Sequence, residues 1–161
     1  MKFISILLLA TLPLLAGDVT VGVIQNKADK KSFNSLAVTY TSDSFYSSPY
    51  GNVKWNARVE GQTQLTPSLS YEGYSFGLDL DKQYENTRYG VGVSHTFQSF
   101  SGVKFERPYI NVHTAHRLGN IEIGLEYRHG FSKIYTWYPT NSKVEAYSPK
   151  SSFNLFTTVI F

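Results

Sequence analysis

Hydrophobic and polar residues alternate along most of the chain after residue 17, so the side-chain pattern has a period of two. From Val53 to Glu60, valine, tryptophan and alanine occupy the odd positions, whereas lysine, asparagine, arginine and glutamate occupy the even ones. A period of two places successive side chains on opposite faces of a β-strand, whereas a helix would show a period of about 3.6. The pattern predicts eight strands, at 18–26, 34–42, 51–62, 67–81, 86–98, 103–117, 120–131 and 151–161.

Two of the predicted strands change phase part of the way along. The apolar parity changes between Tyr71 and Tyr74, which predicts a β-bulge near Gly73. It changes again between Phe105 and Ile110, across a proline that a regular strand would tolerate poorly. Both segments are therefore expected to contain an irregularity.

The N-terminal residues follow a different pattern. A lysine follows the initial methionine, an apolar stretch runs from Phe3 to Leu15, and two small residues close it. This order is typical of a secretory signal peptide, although a buried N-terminal strand or helix would also be apolar. We expect residues 1–17 to be a cleaved signal peptide and residues 18–161 to form one β-barrel domain.

The composition excludes several classes of protein. The chain has 161 residues, a net charge of +3 and no cysteine. This length predicts a single domain, and the lack of cysteine excludes both a disulfide scaffold and a cysteine-based zinc site. After residue 17 there is no run of about 18 apolar residues, which a membrane-spanning helix would need. A mean hydropathy of −0.22 still agrees with a membrane barrel, because alternating strands average an apolar face with a polar one.

The alternation alone does not separate a soluble barrel or sandwich from a membrane barrel, but three further features favour the membrane. Aromatic residues cluster near the predicted strand ends, as in the girdles of outer-membrane barrels. The last predicted strand ends on Phe161 and resembles the carboxy-terminal signal of bacterial outer-membrane proteins. Charged residues on the second face would be costly in a dry core but can pair in a polar lumen. These charged residues are Lys54, Arg58, Glu60, Glu122, Glu126 and Arg128.

We therefore predict an all-β fold, an eight-stranded antiparallel transmembrane β-barrel in the bacterial outer membrane. With both termini in the periplasm, the turn at 118–120 is short, as expected on that side, whereas the connection at 42–50 is longer than expected. Four loops then lie outside the cell, near 27–33, 62–66, 99–102 and 132–150.

This placement predicts contacts with outer-membrane lipids and lipopolysaccharide. Lysines in the first and last loops would face lipopolysaccharide phosphates, although ordinary solvated loop charge explains these lysines equally well. A sequence pI near 9.0 would also fit nucleic-acid binding, but the signal peptide and the alternating strands argue against such a partner. The oligomeric state stays open.

The segment from Glu126 to Ser132 carries the richest chemistry. His129 shares the parity of the apolar residues in its strand and is predicted to face lipid near the outer end. A lipid-facing histidine is costly unless it lies at the membrane interface or has a function. It could be an interfacial residue within the aromatic girdle, or a general base acting on an outer-leaflet lipid. A base of this kind needs a nucleophile and an orienting carboxylate, for which Ser132 and Glu145 are the candidates.

A family resemblance accompanies these residues. Gly124–His129, with Ser132 just after it, resembles the penultimate strand of the outer-membrane lipid A deacylases, and Val144–Ser148 resembles the segment that carries their acid. Those enzymes are eight-stranded barrels that remove an ester-linked acyl chain from lipid A. The resemblance implies a triad of His129, Ser132 and Glu145, with backbone amides near Gly130 holding the oxyanion.

The sequence departs from the family pattern around the nucleophile. The family places serine two residues after histidine, where this chain has Phe131, and Ser132 comes one residue later. On a regular strand Ser132 would face away from His129, so the triad requires a bulge at Gly130. Glu145 also precedes the last predicted strand instead of lying within it.

Other candidate sites are weaker. His95 is also predicted to face outward, whereas His113 and His116 are three residues apart and fall on opposite faces of one strand, a poor geometry for one metal ion. Gly90 and Gly92 alternate within a strand, where they would relieve crowding in the lumen and would not cradle a phosphate. We predict no cofactor and no metal.

Two classes of function remain. The best specific hypothesis is a lipid A deacylase-like ester hydrolase that removes an acyl chain from lipopolysaccharide. The alternative is a non-enzymatic surface barrel for adhesion, serum resistance or surface exclusion. A transport pore is disfavoured, because eight strands leave an interior that side chains fill.

Overall fold

The computed structural model describes most of the chain as β-structure. Among the described residues there is no helix with the length and hydropathy needed to cross a membrane. The described ranges are 17–29, 31–44, 46–48, 53–65, 71–100, 102–131 and 148–160. They contain the strands β1 (Gly17–Lys27), β2 (Ser32–Ser42), β3 (Tyr46–Ser47), β4 (Val53–Gln64), β5 (Tyr71–Tyr84), β6 (Thr87–Phe100), β7 (Val103–Leu118), β8 (Ile121–Gly130) and β9 (Ser151–Val159).

Eight long strands close into an antiparallel barrel, as predicted. β1 pairs with both β2 and β9, and β2 pairs with β4, so the sheet has no free long edge among the described strands. The two-residue β3 pairs with β4 alone. We call the end that contains Gly17 and Val159 the terminal end, and the end that contains Lys27 and Ser151 the loop end.

The pairing register tilts the strands. A row of paired residues that starts at Thr114 of β7 returns to β7 at Lys104, ten residues away. An offset of this size accompanies strands inclined by about 35–45° to the barrel axis. In order, the row contains Thr114, Leu125, Leu155, Val23, Leu36, Thr63, Glu72, Ser99 and Lys104.

The irregularities predicted from the phase changes are wrong. β5 pairs residue by residue with both neighbours on either side of Gly73, and β7 pairs continuously with β6 through Pro108. Tyr71 and Phe105 instead point inward, each only 2% exposed. The parity changes because apolar side chains move from the outside of the barrel into the lumen near the loop end, while the register stays constant.

The outside of the barrel is apolar between its two ends. The apolar side chains that point outward come from all eight long strands and are partly to half exposed. An exposed apolar surface of this extent marks contact with a membrane or another protein. This apolar belt comprises Val21, Val23, Leu36, Val38, Trp55, Val59, Phe76, Leu78, Val91, Val93, Ile110, Val112, Ile123, Leu125, Phe153 and Leu155.

The middle of the lumen contains a charged layer. Arg128 donates two hydrogen bonds to the carboxylate of Glu60, at 2.5 Å each, and a third to Glu126. Arg58 donates to the other oxygen of Glu126 at 2.6 Å. Charges buried in a narrow lumen are tolerated only when they are paired in this way. The prediction of a charged interior is therefore confirmed for these four residues, which we call the ionic layer.

The two ends of the lumen differ. Towards the loop end lies an aromatic cluster of Phe33, Tyr71, Phe100 and Phe105, in which the Phe33 and Tyr71 ring centroids are 4.8 Å apart. At the terminal end a polar cavity of about 250 Å³ opens beside Arg88. There Arg88 forms ion pairs with Glu122 at 2.6 Å and with Asp81 at 3.0 Å. Side chains thus occupy the middle and the loop-end part of the described lumen.

Candidate functional site

His129 lies on the outer surface, one residue before the loop end of β8. Its imidazole is exposed, whereas the neighbouring Arg128 and Gly130 point into the lumen, as the parity predicts. Its paired residues are Ile110 on β7 and Ser151 on β9. Both side chains share the outer face with His129, because directly paired residues in an antiparallel sheet point the same way.

The pairing between His129 and Ser151 brings their side chains close together. The next pair along, Gly130 and Lys150, is hydrogen-bonded, since the Gly130 N–H donates to the Lys150 carbonyl at 2.7 Å. Hydrogen-bonded and non-hydrogen-bonded pairs alternate along an antiparallel ladder. His129 and Ser151 therefore form a non-hydrogen-bonded pair, in which Cα atoms are about 4.5 Å apart and side chains approach most closely.

The other two predicted triad members, Ser132 and Glu145, lie outside the described residues. The bulge that the triad requires at Gly130 is absent, because Gly130 pairs regularly with Tyr109 and the Phe131 N–H donates to the Pro108 carbonyl at 3.0 Å. The backbone amides of Gly130 and Phe131 are both occupied by these sheet hydrogen bonds. These two amides are therefore not free to hold an oxyanion, and the amide of Ser132 lies outside the described residues.

No described carboxylate orients the His129 ring. Glu126, the nearest acid in the same strand, points inward and belongs to the ionic layer. Within the described ranges the His129 side chain thus has Ser151 as its cross-strand neighbour, but it is hydrogen-bonded neither to that serine nor to an acid.

A second outward histidine, His95, is hydrogen-bonded to an acid. His95 on β6 lies with its Nε2 atom 2.7 Å from the Oε2 atom of Glu106 on β7. The two side chains are 40% and 18% exposed. They are diagonal neighbours, because His95 pairs with Pro108 and Glu106 pairs with Phe97. The sequence indicated that His95 faces outward, but the expected irregularity in β7 would have turned Glu106 into the lumen.

The two histidines lie at about the same height on the barrel. His95 pairs with Pro108 on β7, and Pro108 lies opposite Phe131 at the end of β8. Because the strands are tilted, each step to the next strand along this row moves about 3 Å towards the loop end. His129 lies two residues back from Phe131, about 5 Å towards the terminal end. The residues are thus level to within about 1 Å and two strands, or about 10 Å, apart.

The remaining histidines do not form a metal site. His113 points into the lumen, with Nε2 2.9 Å from Asp81 Oδ1, whereas His116 faces outward, 3.1 Å from the Thr87 hydroxyl. They thus lie on opposite faces of β7, as predicted. In the part of the chain that the structure describes, no group of three His, Cys, Asp or Glu residues could hold a metal ion.

Two glycines of β6 leave room for lumen side chains. A Cβ atom on Gly90 would collide with Asp81 and His113, and one on Gly92 would collide with Asp79. The predicted role of these glycines in relieving crowding is confirmed.

Comparison with known proteins identifies the fold. No protein-family model matches the chain, and no curated protein matches its sequence. The crystal structure of Neisserial surface protein A is similar with a TM-score of 0.57 and 11% identity, over 90% of this chain and 96% of that chain. The crystal structure of the outer membrane enzyme PagL is similar with a TM-score of 0.55 and 10% identity, over 89% of this chain and 99% of that chain. The chain therefore has the closed eight-stranded β-barrel fold found in outer-membrane proteins.

Proposed function

We propose that the protein spans the bacterial outer membrane with its terminal end in the periplasm and its loop end outside the cell. The apolar belt supports this placement, because so large an exposed apolar surface would be unfavourable in water. Aromatic side chains lie at both edges of the belt, with Trp55 and Tyr89 at the terminal-end edge and Tyr74 and Phe97 at the loop-end edge. The signal peptide over residues 1–17 stays a prediction that agrees with this placement.

We further propose that the surface around His129 hydrolyses an acyl ester of an outer-leaflet lipid. The observation that carries this proposal is the outward pair of His129 and Ser151 at the loop-end border of the apolar belt. The ester linkages of membrane lipids lie at the same boundary between acyl chains and head groups. The resemblance of Gly124–His129 to lipid A deacylases points to the same class of reaction, and one structure of similar fold is described as an outer membrane enzyme.

In this proposal His129 removes the proton from a serine hydroxyl, and the serine Oγ attacks the ester carbonyl carbon. The C–O bond to the alcohol breaks, His129 returns the proton to the leaving oxygen, and an acyl-enzyme forms. Water then attacks the acyl-enzyme with His129 again accepting a proton, which releases the fatty acid and restores the serine. Ser151 and Ser132 are the candidate nucleophiles, and Glu145 is the candidate orienting acid.

The mass of lipid A from cells that express the protein tests this function. We expect a lipid A species lighter by one acyl chain with the wild-type protein, and no such species with His129→Ala. Ser151→Ala and Ser132→Ala, compared in parallel, identify the nucleophile. Each variant should be shown to be folded by its heat-dependent mobility on a denaturing gel. Unchanged lipid A from folded, surface-located wild-type protein would refute hydrolysis.

A non-enzymatic surface barrel is the second candidate. It is favoured by the lack of a described acid beside His129 and by the similar fold of a surface protein. In that case His129 is an interfacial residue and the loops make the contacts. The same lipid A measurement separates the two functions, because this candidate predicts no change in mass with any variant.

A further inference from the structure

The hydrogen-bonded pair of His95 and Glu106 lies on the outer surface among apolar neighbours. Phe76 and Pro108 lie directly opposite His95 on the two adjacent strands, and Phe97 lies opposite Glu106. The His95 and Phe97 ring centroids are 5.0 Å apart. Ionisable side chains that face the lipid region of a membrane are costly, so such a pair indicates a function by default.

The pair is only partly satisfied by its own hydrogen bond. That bond uses Nε2 of His95 and Oε2 of Glu106, and among the described residues nothing else bonds to Nδ1 or Oε1, so both atoms can bind another molecule. A neutral imidazole that donates its Nε2–H to a carboxylate presents Nδ1 as an acceptor, and a carboxylate oxygen is also an acceptor. The pair therefore presents two acceptors side by side, which suits a ligand that donates hydrogen bonds.

An aromatic surface continues from the pair. The ring of Phe97 contacts His95, and its centroid lies 6.4 Å from that of Phe76 in an edge-to-face arrangement. Rings of this kind provide a wide apolar contact for an acyl or alkyl chain. A donor group at the head of such a chain would then lie at the height of His95, near the loop-end border of the apolar belt.

We propose that His95 and Glu106 bind a lipid whose linkage region donates a hydrogen bond through a hydroxyl or an amide N–H group. From the pair, the chain of this lipid runs towards the terminal end against Phe76 and Val93, while Phe97 lies beside His95 on the head-group side. An ester linkage without a hydroxyl has no donor and binds less well. This proposal rests on the membrane placement given above, but not on hydrolysis at His129.

Two lipids that differ in one donor test the proposal. One is 1-O-octadecyl-2-hydroxy-glycerophosphocholine, and the other is its 2-O-methyl ether; neither contains an ester, so hydrolysis does not enter. Retention on the detergent-purified, folded protein is measured by native mass spectrometry. We expect the hydroxyl lipid to be retained about five- to tenfold better, the net effect of one ordinary hydrogen bond. For the amide arm, the 2-acetamido-2-deoxy analogue of the same ether lipid, which has an amide N–H group but no hydroxyl and no ester, is compared with the same 2-O-methyl ether.

Variants link the preference to the pair. His95→Phe and Glu106→Leu should each abolish it, whereas His116→Phe, which changes an outward histidine at the terminal end, should leave it intact. Equal retention of the two ether lipids by the wild-type protein, together with no preference in the amide arm, would overturn the proposal. So would a preference that persists in folded Glu106→Leu protein. A preference in one arm alone identifies which donor is bound.

Discussion

The two outward histidines, His95 and His129, differ in their neighbours although they share a height and a membrane environment. His95 is hydrogen-bonded to a carboxylate, and the residues opposite it are Phe76 and Pro108. His129 has a serine beside it and no described carboxylate. Under the proposed membrane placement, both positions face lipid, and their cross-strand partners distinguish their proposed chemistry. A histidine with an acid suits binding, and one with a serine suits acyl transfer.

The largest effect is expected at His129. Under the proposed hydrolysis, loss of the general base should lower the rate of lipid deacylation by about 10²- to 10⁴-fold, whereas His95→Ala should retain most of the rate. Release of fatty acid from purified lipopolysaccharide, followed over time, measures both rates. If His95→Ala abolished release and His129→Ala did not, the two roles would have to be exchanged.

The serines provide a similarly large contrast. If Ser151 is the nucleophile, Ser151→Ala should reduce fatty-acid release about as much as His129→Ala. The loss of either member of one catalytic unit disables the whole unit. Ser132→Ala is the matched control and should then retain activity. An acyl-enzyme trapped with a slow ester substrate and located by peptide mass spectrometry checks the assignment directly. Acylation at Ser132 would contradict the role of Ser151.

An intermediate effect, on the free energy of unfolding, is expected for the pair of Arg128 and Glu60 in the lumen. Arg128→Met leaves Glu60 buried without its bidentate partner and should lower the free energy of unfolding by about 3–5 kcal/mol. Urea unfolding in lipid vesicles measures this change. Lys54→Met, at an exposed cation near the terminal end, should change the same quantity little. Equal effects of the two substitutions would argue against the ionic layer as a stabilising element.

The smallest effect on stability is expected at the surface pair. Glu106→Leu breaks a hydrogen bond that is partly exposed and should change the free energy of unfolding by about 1 kcal/mol or less. Unfolding of this variant beside Arg128→Met in the same vesicles makes the comparison. A loss as large as that of Arg128→Met would indicate that the surface pair is structural and not a lipid site.

Most of the fold could be predicted because the residues that face outward and those that face the lumen alternate along each strand of a closed barrel. The prediction failed at Tyr71 and Phe105, where counting apolar residues as outward mistook lumen aromatics for a change of register. Because the same error placed Glu106 in the lumen, its contact with His95 was not predicted. Once β7 is known to run without interruption, its parity places Glu106 outside and beside His95.

The candidate site was harder to predict than the fold. The parity placed His129 on the outer surface, but its neighbour Ser151 depends on the register between β8 and β9. That register is reached through a long connection, at 131–150, whose length does not fix which residues pair. A two-residue turn would have fixed it, as at Gly119 and Asn120 between β7 and β8.

The ionic layer and the aromatic cluster lie one above the other in the lumen, and this arrangement has a consequence for the cell. An envelope that contains many copies of an open pore loses its osmotic barrier and admits toxic solutes. In the described part of this barrel, charged pairs and four aromatic rings occupy the path instead. Abundance of the protein could therefore rise with the demand for its outer surface, without a matching rise in the permeability of the envelope.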